Sequence, residues 1–144
     1  MISWRPYEKK DIDLVHFDES AFTYNGGLAN TCSGPGIHSY TMLEDGKPIA
    51  IMGITQMWEG VAEVWSLLSD QAKTFHAGHN MLKKVRWALE TFQRELHIHR
   101  FQATALATHK EGCRFLEAMG FSLEAKLMNY GHDKRPHCLY SRCY

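Results

Sequence analysis

Between positions 61 and 96, the order of apolar and polar residues predicts a strand, a polar turn and a long helix. The apolar run ends at Leu68, the polar turn SDQAKT follows, and apolar residues then recur at three- and four-residue steps. This spacing places one apolar stripe on an otherwise solvated helix. The first N–H groups of a helix lack partners within it and lie at the positive end of its dipole. The turn is therefore a candidate site for an anion such as phosphate. The residues of the stripe are Leu82, Val85, Leu89, Phe92 and Leu96.

The remaining sequence predicts six further strands and two further helices. Asp45-Gly46 is the strongest hairpin signal and joins the second and third strands. A glycine-rich segment, 23–38, is predicted to be a long loop or a loop that contains a broken helix. The further strands are predicted at 2–6, 39–44, 49–56, 97–107, 123–130 and 137–144, and the further helices at 10–17 and 110–119.

This order of elements predicts a single α/β domain over residues 1–144. The long helix joins two strands as a crossover, so those strands are expected to be parallel neighbours. The hairpin strands are expected to be antiparallel. The result is a central mixed, mostly antiparallel sheet (an α+β arrangement) with helices on both faces.

Composition and charge narrow the expected partners. The 16 basic and 16 acidic residues cancel, so nothing indicates nucleic acid. No apolar run approaches the ~20 residues that a membrane span needs. Charged residues rather than an apolar signal core follow residues 1–6. The 4 cysteines show no close CxxC spacing, which fits a reducing compartment. We therefore expect a cytoplasmic protein that binds neither nucleic acid nor membranes.

The turn before the long helix resembles the pyrophosphate loop of the GNAT acyltransferase superfamily. That loop carries Gln or Arg, two residues, Gly, one residue, and then Gly or Ala, and its amides hold the diphosphate of coenzyme A. Lys73 stands at the first of these positions, His76 at the first glycine and Gly78 at the second. The resemblance implies that this loop, with Ala77 and His79, binds the diphosphate. It also implies that the amides around Ala77 and Gly78 point outward.

A second segment, 105–121, is similar to the GNAT region in which a strand ends at Asn and a helix follows. In the family this region closes on a hydrophobic residue, Gly and Phe, and residues 119–121 keep that ending. His109 stands where the Asn contacts the pantetheine arm. Leu116 stands where many members carry a Tyr that protonates the leaving thiolate. The sequence of residues 114–117 also resembles that of small GNAT-type proteins encoded by tailed bacteriophages.

The resemblance implies a cofactor and a reaction. In this family the strands before and after the long helix splay apart, and the freed backbone groups pair with the pantetheine amides as another strand would. The corresponding groups belong to Leu67, Leu68 and Ser69, with 105–108 on the other wall. The resemblance thus implies acetyl-CoA (coenzyme A) as the cofactor and acetyl transfer to an amine of a small molecule or protein. We expect a monomer or homodimer.

Four side chains are candidates for proton transfer. Attack by an amine needs a base or a water chain, and Glu63 is the best placed carboxylate. Cys113, Tyr130 or Tyr140 would act as the acid if the fold brings one of them near the sulfur. Glu63 is equally consistent with a solvent-facing strand residue, and Cys113 with a small packed residue.

Unusual residues at the family's functional positions support a second hypothesis. His76, His109 and Leu116 all replace residues that the chemistry normally uses. The alternative is a catalytically inactive GNAT-fold protein of phage type that works by binding a partner protein.

Histidine spacing raises the possibility of zinc. His76 and His79 lie three apart at a helix start, and His97 and His99 share one face of a predicted strand. No cysteine or carboxylate spacing supports a metal site, so we predict none.

Overall fold

A computed structural model describes residues 1–17 and 32–144 of the chain. Part of the predicted loop 23–38 lies outside these ranges, and its last two residues belong to a strand. The strands are β1 (Ile2–Pro6), β2 (Ile37–Glu44), β3 (Lys47–Trp58), β4 (Val61–Leu68), β5 (Arg100–Leu106), β6 (Ser122–Leu127) and β7 (His137–Cys143). The helices are α1 (Asp11–Leu14), α2 (Phe75–Glu95) and α3 (Lys110–Ala118), with a 3-10 helix at Asp70–Lys73.

The strands form one 7-stranded sheet in the order β1-β2-β3-β4-β5-β7-β6. Only the central pair, β4 and β5, is parallel, and the other five pairings are antiparallel. The prediction of a mixed, mostly antiparallel sheet is confirmed, and so is the parallel pair on either side of the long helix. Among the helices within residues 1–17 and 32–144, none combines the length and apolar character that crossing a membrane requires.

Alternate residues of β3 pack in two separate hydrophobic clusters. Ala50, Met52 and Ile54 pack in the larger cluster with the apolar faces of α2 and α3. Ile51 packs in the smaller cluster with Val15, which follows α1. Because successive side chains of a strand point to opposite faces, α1 lies on one face of the sheet and α2 and α3 on the other. The predicted helices on both faces are confirmed.

The long helix buries a stripe that differs at both ends from the predicted one. Leu82 and Leu96 pack against the same hydrophobic cluster, as predicted, but they are only half-buried. The helix begins at Phe75, before the predicted periodic segment, and its buried stripe therefore begins earlier. The buried residues of α2 are Ala77, Met81, Val85, Leu89 and Phe92.

Several predicted boundaries were wrong because turn conformations end the elements early. His97 has φ 54°, so it belongs to the turn after α2, and β5 begins at Arg100 rather than at 97. Asn129 also has φ 54°, and β6 ends at Leu127 rather than at 130. Left-handed backbone of this kind interrupts a strand. The predicted helix at 10–17 is reduced to α1.

A buried carboxylate fixes α1 to the sheet. Asp11 is 0% exposed, and both its oxygens accept hydrogen bonds from Arg5, each at 2.7 Å. Thr41 Oγ1 and the Glu8 N–H also donate to it, at 2.7 and 2.8 Å. Burial alone would raise the pKa of Asp11, but these hydrogen bonds outweigh it and lower the pKa from 3.8 to about 2. The carboxylate therefore remains ionised across the physiological range.

Candidate active site

The parallel strands β4 and β5 form a fork. They pair through Val61↔Arg100, Ala62↔Phe101 and Glu63↔Gln102, and within these two fully described strands no pair follows. A cavity of about 410 Å³ opens between the separating strands. Its walls include residues from both faces of the sheet, so it passes between the strands. The lining includes Glu63, Trp65, Leu67, Leu68, Lys73, Thr74, Gly78, Met81, Thr104, Leu106, His109, Gly112 and Leu116.

The backbone of β4 presents only alternate residues to the fork. The Ser69 N–H donates to the Ile49 carbonyl of the neighbouring β3, at 3.0 Å, and the Ser69 hydroxyl donates to the same oxygen, at 2.6 Å. Because peptide groups alternate between the two edges of a strand, those of Leu68 and Ser66 face the fork. Those of Leu67 face β3 together with Ser69. Of the three residues named for this wall, Leu68 directs its backbone groups to the fork, whereas the predicted orientation was wrong for the backbone groups of Leu67 and Ser69.

The helix start is capped in a way that the sequence analysis did not anticipate. Thr74 Oγ1 accepts from the Ala77 N–H at 3.2 Å, and the Thr74 carbonyl accepts from the Gly78 N–H at 2.8 Å. The prediction that these two amides point outward was therefore wrong. The N–H groups of Phe75 and His76 precede the first helical bond, and no described residue accepts from them. Among the described residues, the unpaired N–H groups at this helix start are therefore those of Phe75 and His76, of which the sequence analysis had included His76.

Side chains of the loop differ in their access to the cavity. Gly78 lines it, and a Cβ added at Gly78 would meet no atom within 4 Å. Lys73 also lines the cavity, with its ammonium 3.5 Å from the Asp70 carboxylate. The side chains of His76 and His79 are exposed, and they are not among the described lining residues. His79 stacks on Phe75 with a ring separation of 6.5 Å.

The opposite wall comes from the start of α3. His109 immediately precedes α3 and lines the cavity, as the sequence resemblance predicted for the wall of the site. Leu116 is 8% exposed and lines the same cavity, so an apolar side chain occupies that wall. The wall residues Ala103, Thr104 and Phe115 were not singled out from the sequence.

Three of the four predicted proton-transfer residues, Glu63, Tyr130 and Cys113, lie in different surroundings. Glu63 is 8% exposed and lines the cavity at the base of the fork, so the prediction of a solvent-facing residue was wrong. Tyr130 lies between β6 and β7, and burial and the nearby charge of Glu63 raise its pKa. Cys113 is not among the described residues of the cavity wall. Its Sγ lies 4.0 Å from the Leu106 carbonyl, in the core beneath α3.

Metal ligands are not assembled in the described ranges. Within residues 1–17 and 32–144, no group of three or more His, Cys, Asp or Glu side chains is arranged to hold a metal ion. His97 and His99 both precede β5, so the predicted common strand face was wrong.

Solved structures provide the comparison with known proteins, because no protein-family model and no curated protein matches the chain. The IAA acetyltransferase from Bacillus cereus ATCC 14579 has a TM-score of 0.77 at 9% identity, over 100% of both chains. The ribosomal-protein-S18-alanine N-acetyltransferase from Escherichia coli has a TM-score of 0.76 at 15% identity, over 99% of this chain and 94% of that one. An acetyltransferase of the GNAT family from Streptococcus pneumoniae has a TM-score of 0.75 at 15% identity, over 99% of both chains. At these identities the likeness concerns the fold, and the chain has the GNAT fold that the sequence resemblance predicted.

Proposed function

We propose that this protein is an acyl-CoA-dependent N-acyltransferase, which transfers an acetyl group from acetyl-CoA to an amine of a small molecule or a protein. The observation that carries the proposal is the fork beyond Glu63 and Gln102. It leaves the peptide groups of Ser66 and Leu68 beside a cavity instead of within a ladder. An extended ligand that contains amides, such as pantetheine, can pair with such an edge as a strand does.

The residues around the fork fit coenzyme A. The cavity reaches from the fork to the start of α2, where the Phe75 and His76 N–H groups suit a diphosphate. Lys73 adds a positive charge at the same end. Its partner Asp70 is exposed, and an exposed ion pair contributes little free energy. The Lys73 ammonium can therefore exchange this partner for an anion. Gly78 leaves open space beside these groups.

The cavity also provides groups for acyl transfer. Acetyl-CoA supplies the acyl group as an activated thioester. Glu63, at the base of the fork, is placed to take a proton from the acceptor ammonium. The N–H groups of Ser66 and Leu68 face the fork and suit a developing oxyanion. Tyr130 lies outside the described lining of the cavity, and its raised pKa keeps the phenol protonated as a hydrogen-bond donor at neutral pH.

An amine acceptor accords with the structural neighbours. The Escherichia coli neighbour is named for the alanine of a ribosomal protein, which is an amine acceptor. The net charge of +0 does not separate small amines from protein amines for this chain. We therefore propose the amine class and leave its size to experiment.

A partner-binding protein without catalysis is the second candidate. Leu116 favours it, because this apolar side chain lies in the cavity wall at the position where the family's acid stands. Such a protein would retain the fork and bind coenzyme A or a partner without turnover.

Thermal unfolding with acetyl-CoA tests the cofactor site. Ligand at a hundred times its Kd adds about 2.7 kcal/mol, which raises Tm by several degrees. Gly78→Trp should abolish this increase by filling the space beside the helix start. The matched control is Lys83→Trp, on the solvated side of the same helix, which should retain it. No increase in the wild-type protein at millimolar acetyl-CoA would exclude the proposal.

Release of the coenzyme A thiol separates the two candidates. Acetyl-CoA is supplied with benzylamine, putrescine or an alanine-terminated peptide. Amine-dependent thiol release supports the transferase. A cofactor-induced Tm increase without thiol release for any of these amines favours the binding protein.

A further inference from the structure

Two aromatic rings meet where β6 leads into β7. Tyr130 in the connection and His137 at the start of β7 have ring centroids 5.4 Å apart and planes 52° apart. This separation lies within the range at which aromatic rings attract each other. Because Tyr130 is 46% exposed, the contact with His137 restricts a ring that otherwise borders solvent.

The buried imidazole of His137 destabilises the fold. His137 is 3% exposed, and within the described part of the chain its Nδ1 has no hydrogen-bond partner. A buried polar atom without a partner destabilises the fold, so an apolar ring would pack more favourably there. Burial lowers the pKa of His137, the Arg135 charge lowers it further and Asp133 opposes them, so the ring is neutral at pH 7.

The connection between β6 and β7 around Tyr130 is held by its own backbone hydrogen bonds and packs against His137. The Gly131 N–H donates to the Arg135 carbonyl at 3.2 Å, and the Lys134 N–H donates to the Gly131 carbonyl at 2.8 Å. A Cβ added at Gly131 would lie 3.2 Å from His137 Nε2. The ring of His137 therefore supports the backbone next to Tyr130 from the inside.

His137 is connected to the fork through β5. It pairs with Leu106, which lines the cavity. Residues opposite each other on neighbouring strands share one face of the sheet. Gln102, the partner of Glu63, lies four residues before Leu106 on β5, so the side chains of Glu63 and His137 share one face of the sheet. Tyr130 contacts His137 there, and the charge of Glu63 contributes to the raised pKa of Tyr130.

We propose that His137 is a positioning residue that holds Tyr130 beside Glu63, and that Tyr130 forms a wall against which the acceptor ammonium docks. The carboxylate and the face of the phenol ring together suit a primary ammonium ion. The inference rests on the proposed function, because docking of an amine has no purpose in a protein without transferase activity.

The titration of Tyr130, followed through its labelled Cζ signal in NMR, reports its placement without any ligand. In His137→Ala the phenol should titrate at lower pH by about half a unit or more, since it becomes better solvated. His137→Phe keeps the ring and should restore the wild-type value. Tyr144, which is 49% exposed, is the matched control and should titrate unchanged. An unchanged Tyr130 titration in folded His137→Ala would overturn the proposal.

Kinetics separate this inference from the proposed function. With whichever of benzylamine, putrescine and the alanine-terminated peptide turns over fastest, Tyr130→Ala and His137→Ala should raise KM for the amine about fivefold and leave KM for acetyl-CoA unchanged. If His137→Ala does not fold, the exposed Tyr130→Ala still decides the result. An unchanged amine KM overturns this inference alone. Absence of both cofactor binding and turnover in the wild-type protein overturns the proposed function and this inference with it.

Discussion

Glu63 and Gln102 form the last pair between β4 and β5, and the carboxylate of Glu63 lies in the wall of the cavity that opens beyond them. The end of the ladder and the beginning of the site therefore coincide at one residue pair. Backbone groups in a sheet interior are normally paired. Under the proposed function, the fork leaves such groups to coenzyme A.

Glu63→Gln should reduce kcat about 100-fold, because it removes the group placed to accept the acceptor proton. The cofactor-induced Tm increase should remain, since the fork is unchanged. Glu111→Gln is the control, because Glu111 is an exposed carboxylate of the same cavity wall. Steady-state thiol release measures both variants, and an equal loss in the two would contradict a specific role for Glu63.

Leu116→Tyr should increase kcat about tenfold, since a phenol in this wall would supply a proton donor. Leu116→Phe adds the same ring without the hydroxyl and should give no increase. Both variants enlarge a buried side chain and are compared at equal folded fraction, measured by thermal unfolding. An increase in the Phe variant would assign the effect to packing instead.

Thr74→Ala should lower the free energy of unfolding by about 1 kcal/mol, because Thr74 Oγ1 caps the Ala77 N–H. Thr74→Ser keeps the hydroxyl and should remain close to wild type. Denaturant unfolding at neutral pH provides the measurement. Equal stability of the Ala and Ser variants would show that the cap contributes nothing.

Asp11→Ala should destabilise the fold by about 3 kcal/mol, because it leaves the partly buried Arg5 guanidinium and the Thr41 hydroxyl without the carboxylate. Asp13→Ala, in the same helix and exposed, is the control and should be nearly neutral.

The carboxylate of Asp11 should also make the free energy of unfolding depend on pH. The folded pKa of about 2 lies below the ordinary 3.8, so the stabilisation is complete above pH 4 and is lost as the pH falls toward 2. The shift corresponds to about 2 kcal/mol. Asp11→Ala should lack this part of the decrease in the free energy of unfolding at low pH. Denaturant unfolding between pH 2 and 5 measures the decrease. An identical acid loss in wild type and Asp11→Ala would contradict it.

Local sequence patterns were sufficient to predict the sheet but not the residues at which the strands and helices begin and end. Asp45-Gly46 and the alternation of its flanking strands predicted the β2–β3 hairpin, because a hairpin depends on neighbouring residues. The capping of Ala77 by Thr74 was missed, because it depends on the residue at which α2 begins. Sequence patterns define such a boundary only to within a few residues.

The candidate site was predicted only where chain order already brings residues together. Glu63 and Leu68 follow from the position of β4, and His109 from the end of β5. The contact between Tyr130 and His137 depends on how the β6–β7 connection folds back, which no periodicity encodes. His137 carried no motif, and only the three-dimensional structure shows that its Nδ1 has no hydrogen-bond partner among residues 1–17 and 32–144.

The most direct test of the central claim is a ¹⁵N NMR titration with coenzyme A. The account predicts the largest shifts at the amides of Leu68, Phe75 and His76, with no comparable change at the exposed edge strand β6. Saturable shifts confined to other surfaces, or no shifts at millimolar coenzyme A, would contradict the claim that the fork and the start of α2 form one coenzyme A site.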